Sequence, residues 1–259
     1  MGSEWLRGFG SPGGNARHAE RPTLLCFPHA GGAASTYTSL SRALASEVEV
    51  LAVQYPGRQD RRRQGPLTSI DALADALTEV VRSELHGPFA FFGHSMGAVI
   101  AYETARRLSE RRASTPVRMF LSARGAPGVV PNPRDRIATD AELLAAVRRL
   151  GGTATALLDD PEVREMVMPA LRADYRALAT YVWRPGEPLA MPFTVMAGDS
   201  DPVVTVAEAS AWRDFTTADT TIDVFPGGHF YLDGQLLDVA RAVVDGLVDV
   251  IPSSATLAS

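Results

Sequence analysis

The sequence predicts an α/β fold: a mostly parallel sheet covered by helices on both faces. Three observations carry this. Short, nearly continuous apolar runs recur at 23–27, 48–55, 89–92, 117–122, 193–197 and 221–225. Such runs suit strands buried on both faces, because a strand wetted on one side would alternate. Between several of them lie stretches with apolar residues three or four apart, the helical period. Apolar residues also make up 46% of the 259, enough for one substantial core in a single domain.

Residues 1–20 are Gly-rich and polar and read as a flexible tail. The run 23–27 ends at Pro28 and the pair Gly31-Gly32, so a strand enters a loop. The run 48–55 stops at Pro56-Gly57. Leu67, Ile70, Leu73, Ala74, Leu77 and Val81 give one apolar stripe to a helix over 66–85. Pro88 restarts the chain into the third strand, and Ala98, Ala101, Ala105 and Leu108 mark a helix from about Met96. The span 125–192 breaks this rhythm, with no convincing strand and helical stretches near 141–150 and 161–183. It reads as a helical lid inserted over the strand C-termini, where open sheets bind ligands. The expected organisation is a core of 21–124 and 193–250, a lid of 125–192, a last helix over 232–248 and a tail of 251–259.

Composition excludes several functions. Net charge is −5, which argues against a nucleic-acid-binding domain. No segment approaches the ~18 continuous apolar residues of a membrane span. The single cysteine, Cys26, forbids an intrachain disulfide and suits a reducing compartment, so a cytoplasmic location is expected. Cys26 and the scattered acids offer no metal-ligand cluster, and no metal or other cofactor is expected.

The chemistry concentrates at Gly93-His94-Ser95-Met96-Gly97, a G-x-S-x-G pattern set between a strand and a helix. That setting is a nucleophile elbow, in which a strained turn stands Ser95 free at a helix N-terminus. A serine hydroxyl needs a nearby base. Of five histidines, His18 lies in the tail, His86 ends a helix, and His94 should point away from the serine. His229 follows the sixth strand on the loop Pro226-Gly227-Gly228 and is the expected base. The acid that orients it should come from the loop after 193–197; Asp201, before Pro202, is favoured over Asp199, which suits loop capping. The chain order Ser95, Asp201, His229 is that of the α/β-hydrolases. Oxyanion donors are expected from the Met96 N–H and from the loop Pro28-His29-Ala30-Gly31-Gly32, with Ala30 preferred and Gly31 the alternative. His29 is expected to order this loop by hydrogen bonding.

The stretches FPHAGG (27–32), YPGR (55–58), FGHSMGA (92–98), GDSDP (198–202) and GGHF (227–230) resemble the type II thioesterases, over about 22–250. These are stand-alone hydrolases that accompany modular polyketide synthases and nonribosomal peptide synthetases. The resemblance implies an α/β-hydrolase with Ser95, Asp201 and His229 as its triad and Ala30 and Met96 as oxyanion donors. It implies removal of short or stalled acyl groups from the phosphopantetheine arm of acyl or peptidyl carrier proteins, those carriers being the partners. Medium-chain fatty acyl thioesterases are the nearest alternative; a generic carboxylesterase or aminopeptidase would use the same chemistry. Met166, Met168, Leu171, Tyr175, Leu178 and Tyr181 are candidates for an acyl channel. Arg106, Arg107, Arg111 and Arg112 on the helix after Ser95, with Arg58, Arg61, Arg62 and Arg63, are candidates to steer an acidic carrier, Arg106 and Arg107 foremost. A monomer is expected.

Overall fold

A computed structural model describes residues 4–9, 21–128, 132–151 and 158–250. Among the described residues seven strands form one sheet in the order β1-β3-β2-β4-β5-β6-β7. They are β1 (Leu6–Gly8), β2 (Thr23–Phe27), β3 (Glu49–Val53), β4 (Phe89–His94), β5 (Met119–Ser122), β6 (Phe193–Gly198) and β7 (Thr220–Phe225). All pairings are parallel except that of β1 with β3. The helices are α1 (Thr38–Ala43), α2 (Ile70–Glu84), α3 (Met96–Glu110), α4 (Asp140–Leu150), α5 (Pro161–Thr180), α6 (Val206–Ser210) and α7 (Leu236–Val248).

The continuous apolar runs are explained by two cores, one on each face of the sheet. Alternate residues of each central strand go to opposite sides. Leu25, Phe27, Phe89, Phe91 and Leu121 join the core beneath α2 and α3. Leu24, Cys26, Ala90, Phe92 and Phe120 join the other, beneath α7. The edge strand β7 is wetter. α2 begins later than its apolar stripe does, because the Ser69 hydroxyl caps it by accepting from the Ala72 amide. Two short helices, α1 and α6, were not legible; at six and five residues each they show too little of a 3.6-residue period.

The expected N-terminal tail needs correction. Residues 6–8 are an antiparallel edge strand on β3, with Leu6 opposite Val53. Trp5 secures it: its carbonyl accepts from the Gln54 amide at 2.8 Å, its ring packs on the core, and Arg61 lies 4.4 Å from the ring centroid. Three residues are too few for alternation to register. Residues 10–20 and the expected C-terminal tail, 251–259, lie outside the described residues.

Trp5→Ala is expected to lower the unfolding free energy by about 2 kcal/mol in a urea titration. That is less than the ~3–5 kcal/mol of a fully buried aromatic, because the ring is only partly covered. A change below about 0.5 kcal/mol would return residues 4–9 to the status of a tail.

Candidate active site

Ser95 sits between the end of β4 and the start of α3 with φ 55° and ψ −117°. A non-glycine residue held there is strained, by about 1–3 kcal/mol. The crossing of strand and helix enforces the strain. A Cβ on Gly97 would lie 1.9 Å from the carbonyl oxygen of Phe27, and one on Gly93 would lie 2.5 Å from the Ala98 Cα. Only glycine lets the helix pass this close to β2 and β4. The Ser95 amide donates to the Ser122 carbonyl at 2.8 Å, tying the turn to β5.

The structure brings three residues from distant parts of the chain together. His229 Nε2 lies 3.0 Å from Ser95 Oγ, and His229 Nδ1 lies 2.8 Å from Asp201 Oδ2. A carboxylate only accepts, so Nδ1 carries the ring proton and Nε2 is free to accept from the serine hydroxyl. Asp201 is fixed through its other oxygen, which accepts from the amides of Val203 (2.9 Å) and Val204 (3.2 Å). Both side chains are buried. Asp199 instead holds the loops together: its Oδ1 accepts from the Gly227 amide at 3.0 Å and from the Ser200 hydroxyl, which keeps its carboxyl below the usual range. Ser200 N–H then donates to the Gly227 carbonyl.

Three amides bear on an oxyanion. Met96 N–H is the first of α3 and has no intrahelical acceptor. Ala30 N–H has no hydrogen-bond partner among the described residues, and Ala30 and Ser95 line the same cavity, of about 310 Å³. The Gly31 amide is occupied, donating to Asp174 Oδ2 at 2.7 Å. Of the two alternatives left open by the sequence, Ala30 therefore has the available donor.

His29 does not order its loop as expected. Its Nδ1 is buried with no hydrogen-bond partner among the described residues, and the ring packs edge-on against Phe230 at 4.9 Å. Packing does the work assigned to hydrogen bonding. His94 turns away from Ser95: its Nδ1 lies 2.8 Å from Ser122 Oγ, which in turn lies 2.6 Å from the Tyr231 hydroxyl. The His94 ring is 5.9 Å from that of His29 and 5.3 Å from that of His229. Burial, with the neighbouring His229, pushes His29 down to about 4 and His94 well below an ordinary imidazole. Two neutral rings thus flank His229.

The candidate channel residues separate. Tyr175 and Leu178 line the Ser95 cavity. Leu171 is buried against the oxyanion loop, its Cδ1 2.8 Å from where a Gly31 Cβ would be. Met168 is buried beside it, and Tyr181 donates its hydroxyl to Glu103 at 2.8 Å. Met166 needs correction: it is 63% exposed and borders a different groove. About nine residues separate it from Tyr175, two and a half turns, which puts the two on opposite faces of α5.

The Arg pair on α3 also departs from expectation. Arg107 is 16% exposed and pairs with Asp71, Asp75 and Glu103; Arg106 is 12% exposed and pairs with Glu103 and Glu110. Charges neutralised against α2 and their own helix project little field to a partner. What the sequence missed is the buried ion pair of Arg58 with Asp174. YPGR and the α5 segment were both singled out, but only folding joins them.

The strand order, the turn at Ser95 and the late loop bearing His229 define an α/β-hydrolase. The comparisons narrow this. Residues 22–246 match the Thioesterase domain family. The chain is 42% identical over 245 residues to a probable cadicidin biosynthesis thioesterase of Streptomyces griseus, covering 95% of this chain and 66% of the relative. It is also 42% identical over 228 residues to thioesterase PikA5 of Streptomyces venezuelae, covering 87% and 80%. Among solved structures, the type II thioesterase BorB from the borrelidin biosynthetic cluster superposes with a TM-score of 0.84 at 43% identity, covering 94% of this chain and 97% of that one. The chain belongs to the thioesterase family.

His29 generates a pH prediction. The unfolded imidazole titrates near 6.5 and the folded one near 4, so the unfolded chain binds more protons between these values. Stability present above about pH 6.5 should therefore fall as the pH drops toward 4. In His29→Phe, urea titrations across that window are expected to give a shallower decline. An unchanged slope would show that His29 is not held neutral.

Proposed function

We propose that the protein hydrolyses acyl thioesters carried on the phosphopantetheine arm of acyl or peptidyl carrier proteins, clearing stalled short acyl groups from a modular synthase in the cytoplasm. One observation carries the reading: the hydrogen-bonded chain from Asp201 through His229 to a strained Ser95, in a fold shared with type II thioesterases. Ser95 Oγ attacks the thioester carbonyl as His229 Nε2 takes its proton. The Ala30 and Met96 amides stabilise the oxyanion. The C–S bond breaks and the imidazolium protonates the leaving thiolate. Water, deprotonated by the same imidazole, then attacks the acyl-enzyme; its collapse frees the acid and returns the proton to Ser95. Asp201 keeps His229 in the required tautomer and stabilises its cation. These steps use no metal or other cofactor.

The lining of the cavity supports the short-acyl part of this reading. Tyr175 and Leu178 provide apolar wall, but Arg124 and Asp135 form an ion pair on the same lining. A long alkyl chain would press against charge and gain little from burial. The 125–192 insertion acts in this reading as the lid, since α5 supplies the apolar wall.

Asp201→Asn is expected to lower kcat about 10⁴-fold on any ester or thioester while leaving the fold intact, because the amide selects the wrong tautomer. A loss below about tenfold, in steady-state assays, would remove Asp201 from the relay. For the substrate, carriers loaded with acetyl, propionyl, butyryl and octanoyl groups can be followed by mass spectrometry, with Ser95→Ala as control. Rapid unloading of the short groups is expected. Slower turnover of acyl-carriers than of p-nitrophenyl esters would sink the carrier reading, and preference for octanoyl would sink the short-chain one.

A further inference from the structure

The YPGR stretch contributes an arginine that the reaction above does not use. Arg58 follows β3, and Asp174 lies in the C-terminal half of α5; their side chains are 5% and 1% exposed. Burying two charges is costly unless each is paired and hydrogen-bonded, and removing one strands the other. Here each member of the pair makes one hydrogen bond to the loop carrying Ala30. Arg58 Nε donates to the Gly32 carbonyl at 3.0 Å, and Nη2 donates to Asp174 Oδ2. The same Asp174 oxygen accepts the Gly31 N–H. Arg58 Nη1 donates to the Pro56 carbonyl at 2.8 Å, anchoring the guanidinium to its own loop.

The geometry of the turn gives these contacts a consequence. Gly32 N–H donates to the His29 carbonyl at 2.9 Å. The peptide joining His29 to Ala30 is planar and trans, so with its carbonyl held on one edge its N–H, that of Ala30, leaves the opposite edge. Ala30 lines the cavity of Ser95. The direction of the Ala30 amide is therefore set by a tight turn whose last two residues are gripped by Arg58 and Asp174. Helix α5 adds Leu171 over Gly31 and, within two further turns, the cavity-lining Tyr175 and Leu178.

We propose that Arg58 and Asp174 are positioning residues for the second oxyanion donor, holding the Ala30 N–H on the reacting carbonyl only while helix α5 is docked. Neither touches the substrate. The inference rests on the serine-hydrolase reading of the site but not on the identity of the acyl carrier. An acyl group seated against Tyr175 and Leu178 favours the docked helix, and the docked helix completes the oxyanion site. Acyl binding and transition-state stabilisation are thereby coupled.

The test uses p-nitrophenyl acetate, a substrate independent of any carrier, so that failure of the carrier reading leaves it intact. Asp174→Ala removes both the charge and the acceptor for Gly31; Asp174→Asn keeps an acceptor; Arg58→Lys keeps a charge without the fork that reaches Gly32. Loss of one oxyanion donor costs about 10²–10³ in kcat elsewhere. A fall of about 30-fold or more is expected for folded Asp174→Ala, with KM within about threefold and smaller losses in the other two. Inhibition by a trifluoromethyl ketone, which forms an oxyanion on Ser95, should weaken in proportion to kcat/KM across the series, while binding of the product acid stays constant. A purely structural role would lower the melting temperature without moving that ratio. Folded Asp174→Ala with kcat within twofold of the parent, or an unmoved ketone constant, overturns the proposal. Should the variants not fold, hydrogen exchange on the unaltered protein decides. The ketone adduct is expected to protect residues 28–32 and 161–180 together, and protection of 28–32 alone overturns the proposal.

Discussion

The close crossing of α3 over β2 and β4 is the constraint on which the site depends. It brings helix backbone so near strand backbone that Gly93 and Gly97 can carry no side chain. The chain must then turn through a left-handed conformation at Ser95, which lifts the hydroxyl out of the sheet and leaves the first amide of α3 beside it. The strain persists because two cores hold the crossing from either face of the sheet. Nucleophile and first oxyanion donor are thus consequences of one packing contact.

Charge in the site is arranged around His229. The imidazole that must become a cation has Asp201 on one side and two rings driven neutral by burial on the other. A protonated His29 or His94 would oppose the imidazolium formed in proton transfer. Keeping both neutral reserves the positive charge for the ring that moves the proton. The cost is sensitivity to acid, since both rings regain ordinary basicity on unfolding.

Several arginines of this chain serve inward. Arg58 grips the oxyanion loop, Arg61 covers Trp5, Arg107 joins α3 to α2, and Arg124 pairs with Asp135 at the cavity. Clusters of arginine in the sequence invite a docking interpretation, but Arg58, Arg61, Arg106 and Arg107 find their partners within the chain, whereas Arg62 and Arg63 are exposed. A guanidinium offers several donors in a fixed plane, so it can tie two or three segments at once. Arg58 joins β3's loop, the Ala30 turn and α5 in this way.

The local order of the molecule was determined by the sequence itself. Continuous apolar runs disclosed strands buried on both faces, and three-and-four spacing disclosed the longer helices. Gly93-His94-Ser95-Met96-Gly97 disclosed the turn, because the motif and the apolar strand and helix that flank it lie within a few residues of one another. His229 and Asp201 were legible from their loops and chain order. A three-residue edge strand such as β1 and a five-residue helix such as α6 are too short for a period to register, and they form because the existing sheet and core receive them. The tertiary structure alone decided which side of α5 faces the cavity, that Arg106 and Arg107 are neutralised, that His29 is held by ring packing against Phe230, and that Arg58 meets Asp174 across 116 residues. Pairings between distant residues leave no periodic trace in the sequence, since what selects them is the cost of leaving a buried charge or polar group alone.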